Sequence, residues 1–157
     1  MQTIIYGPWT LRVDVAATQE CYRKLGPTGA DECGCNTCKN FALIRHEAYP
    51  PEVMDLFSTL GIDFRKEDEV CHFCRLPSGL HSYMGWFFLC GSVESGPDSW
   101  VETQPGSKKP EFYRVTDEFR LGFTRMSGAP DYFSDIPCVQ LEFSADLPWR
   151  SNEPEPD

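Results

Sequence analysis

Residues 80–93, Leu-His-Ser-Tyr-Met-Gly-Trp-Phe-Phe-Leu-Cys-Gly-Ser-Val, contain the feature that decides the fold. Within them, residues 86–90 form an uninterrupted apolar run, which is typical of a strand covered on both faces. We therefore expect residues 80–93 to form the central strand of a sheet. A turn at residues 77–79 joins it to a strand predicted over 69–75. The remaining strands are predicted over 9–15, 111–116, 119–124 and 138–143.

The first half of the chain has the pattern of helices. Pro51 suits the first position of a helix, because the N–H that proline lacks would be unpaired there. Gly61 suits a left-handed C-terminal residue, and between the two the apolar residues recur on one helical face: Val53, Leu56, Phe57 and Leu60. We also expect helices over 16–25 and 37–47, the second with Asn36 as its N-cap, and loops over 26–35 and 94–109. Helices followed by strands predict an α+β fold, in which the helices cover a mostly antiparallel sheet.

The chain has 157 residues, with 14 Lys and Arg against 24 Asp and Glu, so its net charge is −10. The length predicts one α+β domain over residues 1–150, and the Pro- and acid-rich residues 151–157 predict a flexible acidic tail. The charge argues against a nucleic acid or an anionic membrane as main partner and leaves a basic protein partner open. The first residues lack the basic and apolar regions of a signal peptide, so we expect a cytoplasmic protein.

Eight cysteines in a chain without an export signal favour metal ligands or reactive thiols over a disulfide framework. Cys33, Cys35 and Cys38 lie within six residues, and Cys71 and Cys74 form a second C-x-x-C pair. Two such pairs can offer four thiolates to a tetrahedral zinc ion, so we predict a structural zinc site from these five cysteines. Cys71 and Cys74 point to opposite faces of a regular strand, so they converge only if a bulge or turn interrupts it.

Other interpretations of the cysteines stay open. The fourth ligand to the first three cysteines can instead be Cys21, His46 or His72. The same three cysteines suit an iron–sulfur cluster, a redox-active thiol at a helix start, or simple packing. Cys90 and Cys138 lie in apolar strand segments, where we expect them to pack in the core.

Several short motifs carry a resemblance. The chain contains Cys33-Gly-Cys35-x-x-Cys38-x-Asn40-Phe41, then Tyr-Pro-Pro-Glu at 49–52, Gly-Ile-Asp-x-x-Lys-Glu at 61–67 and Gly-Trp-Phe at 85–87. Over about residues 9–93, this set resembles a family of bacterial proteins to which no function is attached. The family pattern includes the first cysteine cluster but not Cys71 and Cys74, so a four-thiolate site that uses both pairs would be peculiar to this chain. The resemblance implies no activity.

The leading hypothesis is a small cytoplasmic protein that is not an enzyme and holds a structural zinc ion. A second hypothesis is an acidic protein-interaction module without metal, whose aromatic candidates are Trp86, Phe87, Trp100, Tyr113 and Phe119. A third is an enzyme that depends on a thiol or on a pocket near His81.

Overall fold

The computed structural model describes residues 1–125, 128–133 and 135–157. Its helices are α1 (Val15–Lys24), α2 (Gly29–Cys33), α3 (Asn36–Ala48) and α4 (Pro51–Leu60), with a short 3-10 helix at Asp131–Phe133. Its strands are β1 (Gln2–Tyr6), β2 (Trp9–Val13), β3 (Glu69–Arg75), β4 (His81–Ser95), β5 (Trp100–Gln104), β6 (Ser107–Pro110), β7 (Tyr113–Arg114), β8 (Phe119–Thr124) and β9 (Cys138–Leu147). The α+β class is confirmed. None of the helices in the described ranges is long and apolar enough to cross a bilayer.

The long strand β4 organises the sheet. The order is β1-β2-β4-β9-β8-β7, with β3 paired to β4 as well, and β5 and β6 form a separate hairpin. The pairings are antiparallel, and β9 follows β4 from His81↔Leu147 to Cys90↔Cys138. The central position predicted for this segment is confirmed, since β4 lies between β9 on one edge and β2 and β3 on the other, and residues 87–90 are buried.

One edge of β4 is shared by two strands that leave a gap between them. β3 pairs with residues 81–86 and β2 with residues 91–95. Helix α1 fills the gap: the Tyr22 hydroxyl donates to the carbonyl of Phe88 at 2.7 Å, and the Thr18 hydroxyl accepts from the N–H of Cys90 at 2.9 Å. The N–H of Asp14, the N-cap of α1, donates to the carbonyl of Cys90 at 2.9 Å. The helix and its N-cap thus give partners to three backbone groups where a strand is missing.

The helices cover one face of the sheet with an aromatic core. Tyr49, at the end of α3, lies 5.0–6.0 Å from the rings of Phe57, Phe87, Phe119 and Phe143. Phe143 lies over Gly85, where an added Cβ would be 2.6 Å from its ring. Gly85 therefore has no side chain because an aromatic ring occupies that space.

Several predicted elements need correction. The predicted loop 26–35 contains α2, which is stabilised by a contact with Glu67 far along the sequence. Helix α3 begins with Cys35 as its N-cap, because the Cys35 carbonyl already accepts from the N–H of Lys39 at 2.8 Å, so Asn36 is the first helical residue. The predicted loop 94–109 contains the hairpin β5–β6, whose exposed strands lack the apolar alternation of a buried face.

Two differences concern strand length. β1, which the sequence patterns did not predict, pairs with β2 through a turn in which Gly7 has a φ of 51°. The strand predicted over 111–116 is limited to β7, and the last strand extends from Cys138 to Leu147.

The acidic tail makes specific contacts. Glu153 pairs with Lys39 at 2.7 Å, and Glu155 contacts the buried ring of His81 at 2.9 Å and Arg75 at 3.4 Å. These contacts place residues 153–155 against α3 and the β3–β4 hairpin. The flexibility and the domain limits inferred from the sequence stay predictions.

Replacing Thr18 of α1, whose hydroxyl accepts a hydrogen bond from the N–H of Cys90, should destabilise the fold. Thr18→Val keeps the shape but leaves the buried Cys90 N–H without its acceptor, so we expect a loss of about 1–3 kcal/mol in the free energy of unfolding. Urea denaturation followed by circular dichroism measures it. Tyr113→Phe, which removes a hydroxyl from a ring that is 43% exposed, is the control and should cost about 0.5 kcal/mol or less. Equal stability of Thr18→Val and the unmodified protein would contradict the role of Thr18.

Candidate metal centre

Three of the five predicted metal-ligating cysteines meet at the corner between α2 and α3. The sulfur atoms of Cys33, Cys35 and Cys38 all lie within 4.8 Å of one another. Zn–S bonds of about 2.3 Å at tetrahedral angles separate sulfurs by about 3.8 Å. The three thiols can therefore hold a metal ion with small adjustments. We call Cys33, Cys35 and Cys38 the thiol corner.

The local backbone brings the thiols together. Cys33 is the last residue of α2, and Gly34 follows in the left-handed conformation with a φ of 65°. This reverses the chain, so that Cys35 becomes the N-cap of α3 and Cys38 lies in its first turn. Cys33 and Cys35 are exposed, whereas Cys38 is buried. The corner is thus open to solvent on one side and anchored in the protein on the other.

The three thiols differ in acidity. The pKa of Cys35 falls to about 6, first because of its hydrogen bond with the Thr37 hydroxyl, with further lowering by the backbone of Cys38 and the neighbouring thiols. Burial raises the pKa of Cys38, and the thiols of Cys35 and Cys33 raise it further. A first thiolate at Cys35 therefore opposes a second one at Cys38, and a bound cation would relieve that repulsion.

A buried ion pair positions α2 beneath the corner. Glu67, which is fully buried, accepts from Arg45 of α3 at 2.7 Å and from the N–H of Ala30 at 3.0 Å. Arg45 also contacts Asp31 of α2 at 3.1 Å. Burial raises the pKa of Glu67, while Arg45 and the Ala30 N–H oppose that shift. The pair fixes α2 to α3 and to the segment that leads into β3.

Asn40 fixes the other side of α3. Its amide nitrogen donates to the Tyr83 hydroxyl at 3.2 Å and to the carbonyl of Pro148 at 3.1 Å, and its oxygen accepts from the backbone of Arg150 and Ser151. The Tyr83 hydroxyl donates to the carbonyl of Thr37, inside the first turn of α3. Asn40 and Glu67 both belong to the motifs that carry the resemblance, but the sequence pattern does not indicate these contacts.

Cys71 and Cys74 lie on the edge strand β3. A register shift between His72 and Cys74 leaves Phe73 without a partner in β4, so that Cys71 pairs with Met84 and Cys74 with Ser82. Because Met84 and Ser82 are two residues apart, the bulge places both cysteines on one face of the sheet. Among the described residues, the group of sulfur atoms that lie within 4.8 Å of one another is the thiol corner. Cys71 and Cys74 do not belong to this group.

Cys71 is electrostatically linked to the corner. Its pKa is raised by burial first, then by Glu69 and by Cys33. Cys71 therefore interacts with a member of the corner. Cys74 is exposed.

The other candidate ligands have different surroundings. Cys21 is buried in α1, where its sulfur contacts the carbonyl of Tyr132 at 3.5 Å. His46 is 69% exposed and lies 3.7 Å from Glu47. His72 and His81 contact each other at 2.9 Å, and the second nitrogen of His81 contacts Glu155. Both ring nitrogens of the buried His81 are thus occupied.

Comparison with protein-family models, curated proteins and solved structures finds no match to this chain. The resemblance drawn from the short motifs stays a prediction.

The structure divides the aromatic interface candidates. Phe87 and Phe119 are in the core and unavailable to a partner. Tyr113 is exposed, while Trp86 and Trp100 are half-buried. The two half-buried rings are held by hydrogen bonds from their indole N–H groups to Asp68 and Glu142. The face predicted for an acidic interaction module therefore retains a single well-exposed aromatic ring among these five residues.

A cleft with a volume of about 620 Å³ lies among α1, α4 and the segment 61–66. Lys66 in this cleft donates to the carbonyls of Tyr22 and Leu25, and Asp63 pairs with Arg65. Its charged groups are thus engaged in structural contacts, and the described residues that line it include neither cysteine nor histidine.

Cys35 should be an unusually reactive thiol in metal-free protein. Its iodoacetamide alkylation rate, followed by peptide mass spectrometry, should rise with pH around a midpoint of about 6, because the thiolate is the nucleophile. Thr37→Val removes the hydrogen bond that contributes most to the lowered pKa, so the midpoint should move upward. An unchanged midpoint in this variant would show that Thr37 does not stabilise the thiolate.

Removing the cation of the buried pair should destabilise the whole corner. Arg45→Met leaves the Glu67 carboxylate buried without its partner, and we expect a loss of about 3–5 kcal/mol in the free energy of unfolding. The matched control is Arg65→Met, since the side chain of Arg65 is 67% exposed and its pair with Asp63 lies at the surface. That variant should change stability by about 0.5 kcal/mol or less. Similar losses in the two variants would contradict a special role for Arg45.

Proposed function

We propose that the thiol corner binds a structural zinc ion, with Cys33, Cys35 and Cys38 as three ligands and Cys71 as the fourth. The convergence of three sulfurs within 4.8 Å is the observation that carries the proposal. Thiolates are ligands that zinc prefers, and four of them complete the tetrahedron typical of structural zinc sites.

The charge balance supports a divalent ion. Without a cation, the low pKa of Cys35 favours a thiolate there, and the raised pKa of Cys38 opposes a second one beside it. A dication compensates for the second and third negative charges, and its binding releases the corresponding protons.

The choice of Cys71 follows from its surroundings. The pKa of Cys71 is raised by burial first, then by Glu69 and by Cys33, which supports placing Cys71 within electrostatic range of the corner. The Nε2 atom of the neighbouring His72 is engaged with His81 at 2.9 Å, so that nitrogen would have to leave its partner to bind a metal. Cys74, the further cysteine in the predicted ligand set, lies past the bulge and is exposed.

The ion would stabilise the fold and would not act on a substrate. It would join the end of α2, the start of α3 and the edge strand β3, three elements that already lie against one another. Because the unfolded chain lacks a preformed site, the binding free energy of the metal would add to the stability of the fold.

Metal analysis tests this proposal. Protein purified without a metal-affinity column should contain about one equivalent of zinc by mass spectrometry of the metal. Replacement by Co²⁺ should give the visible absorption of a tetrahedral thiolate site. Less than about 0.2 equivalents of any metal, together with freely titratable thiols, would overturn the proposal. Iron with the absorption of a sulfide cluster would also overturn it.

Matched variants test the fourth ligand. Cys71→Ser should weaken zinc binding by at least about 10–100-fold in a competition with a chromophoric chelator, because loss of a group that only supports a metal ligand already costs that much. Cys74→Ser is the control, because it changes the same strand without removing a proposed ligand, and its affinity should be unchanged. The opposite order, with Cys74→Ser the weaker binder, would assign the fourth position to Cys74.

A further inference from the structure

A second group of cysteines lies between α1 and the β4–β9 pair. Cys90 of β4 and Cys138 of β9 are direct cross-strand partners. The thiol of Cys21 contacts that of Cys90, and its sulfur also contacts the carbonyl of Tyr132 at 3.5 Å. Cys21 and Cys90 are buried, whereas Cys138 is half-buried. The proposed zinc site uses none of these three cysteines, so the two groups of thiols are independent of each other.

The register places Cys90 and Cys138 at a position that suits a disulfide. The N–H of Gly91 donates to the carbonyl of Pro137 at 2.8 Å, so these two residues form a hydrogen-bonded pair. Because hydrogen-bonded and non-hydrogen-bonded pairs alternate along an antiparallel ladder, the adjacent pair of Cys90 and Cys138 is non-hydrogen-bonded. Consistently, the N–H and carbonyl of Cys90 point away from β9, toward Thr18 and Asp14.

The Cα separation of a non-hydrogen-bonded pair suits a disulfide bond. In a non-hydrogen-bonded antiparallel pair the Cα atoms are about 4.5 Å apart. That separation lies inside the range of about 4.4–6.8 Å found across disulfides. Both side chains lie on the same face of the sheet, because directly opposed residues share a face. A bond between these sulfurs therefore needs rotation of side chains and no change of register.

We propose that Cys90 and Cys138 are a redox-active pair, which closes to a cross-strand disulfide when a peroxide oxidises the protein and reopens when a dithiol reduces it. The thiolate of Cys138 attacks one oxygen of hydrogen peroxide, which gives the sulfenic acid of Cys138 and, after protonation of the leaving hydroxide, one water. The sulfur of Cys90 then attacks the sulfenic sulfur, its proton and the hydroxyl group leave as a second water, and the S–S bond forms. The two thiols lose two electrons in total, and the peroxide accepts them.

The order of these steps follows from access. Burial raises the pKa of Cys90 to about 12, with a further contribution from Cys21, so Cys90 is protonated and shielded from oxidants. Cys138 is partly open to solvent at the first position of β9. It is therefore the thiol that meets the peroxide, and Cys90 is the resolving thiol.

Peptide mapping tests the proposal on the full-length protein. Reduced protein is treated with hydrogen peroxide, denatured in iodoacetamide, and digested without reductant for mass spectrometry. We expect a peptide pair linked through Cys90 and Cys138, with alkylation of both residues falling together by at least about fivefold and returning after dithiothreitol. Peroxide treatment that leaves Cys90 fully alkylated, or that links Cys90 to Cys21 instead, would overturn the proposal.

Two variants complete the test. Cys138→Ser should abolish the linked peptide and keep Cys90 alkylatable, and Cys138→Ala serves if the serine variant folds poorly. Cys21→Ser is the matched control, because it removes the other thiol that contacts Cys90, and the Cys90–Cys138 link should form as before. Loss of the link in Cys21→Ser, in protein whose circular dichroism is unchanged, would show that Cys21 is a member of the oxidised pair and would overturn the assignment.

Discussion

The structure depends on the hydrogen bonds along one edge of β4. This strand of 15 residues is longer than either partner on that edge, so β3 and β2 each pair with one end of it. The stretch between them would expose unpaired backbone in the middle of the fold. The hydroxyl groups of Thr18 and Tyr22 in α1, with the N–H of Asp14 at its N-cap, supply partners there. The position of α1, and with it the way the first helices cover the sheet, follows from this requirement.

The sequence predicts the parts of this arrangement that have a local signature. The apolar run 86–90 indicates a central strand, and the spacing of apolar residues with Pro51 and Gly61 marks α4, whose bounds the structure confirms. The helical turn of α2 has no such signature, because Glu67 and Arg45 stabilise it from positions distant in the sequence. The N-cap of α3 has none either, because Cys35 makes no side-chain cap hydrogen bond. The hairpin β5–β6 lacks a buried face and hence the alternation that identifies a strand.

The candidate site was predicted only in part, because only some of its residues have a local signature in the sequence. The spacing of Cys33, Cys35 and Cys38 within six residues made their convergence visible in the sequence, and the structure brings their sulfurs together. The group that contains Cys21, Cys90 and Cys138 has no sequence signature, since pairing of β4 with β9 brings together residues 48 positions apart. Asn40 and Glu67 were visible as motif residues, but their role in positioning α3 and α2 required the hydrogen bonds that the structure shows.

The bulge in β3 bears on how the molecule behaves in a concentrated solution. β3 pairs with β4 on one side, and the outer edge of such a strand is a template for strands of other molecules. The unpaired residue Phe73 interrupts the regular spacing of hydrogen-bonding groups there, although its ring is 61% exposed. A neighbouring chain that aligned with one half of this edge would be out of register with the other half. The irregularity that places Cys71 and Cys74 on one face thus also protects the sheet against edge-to-edge aggregation.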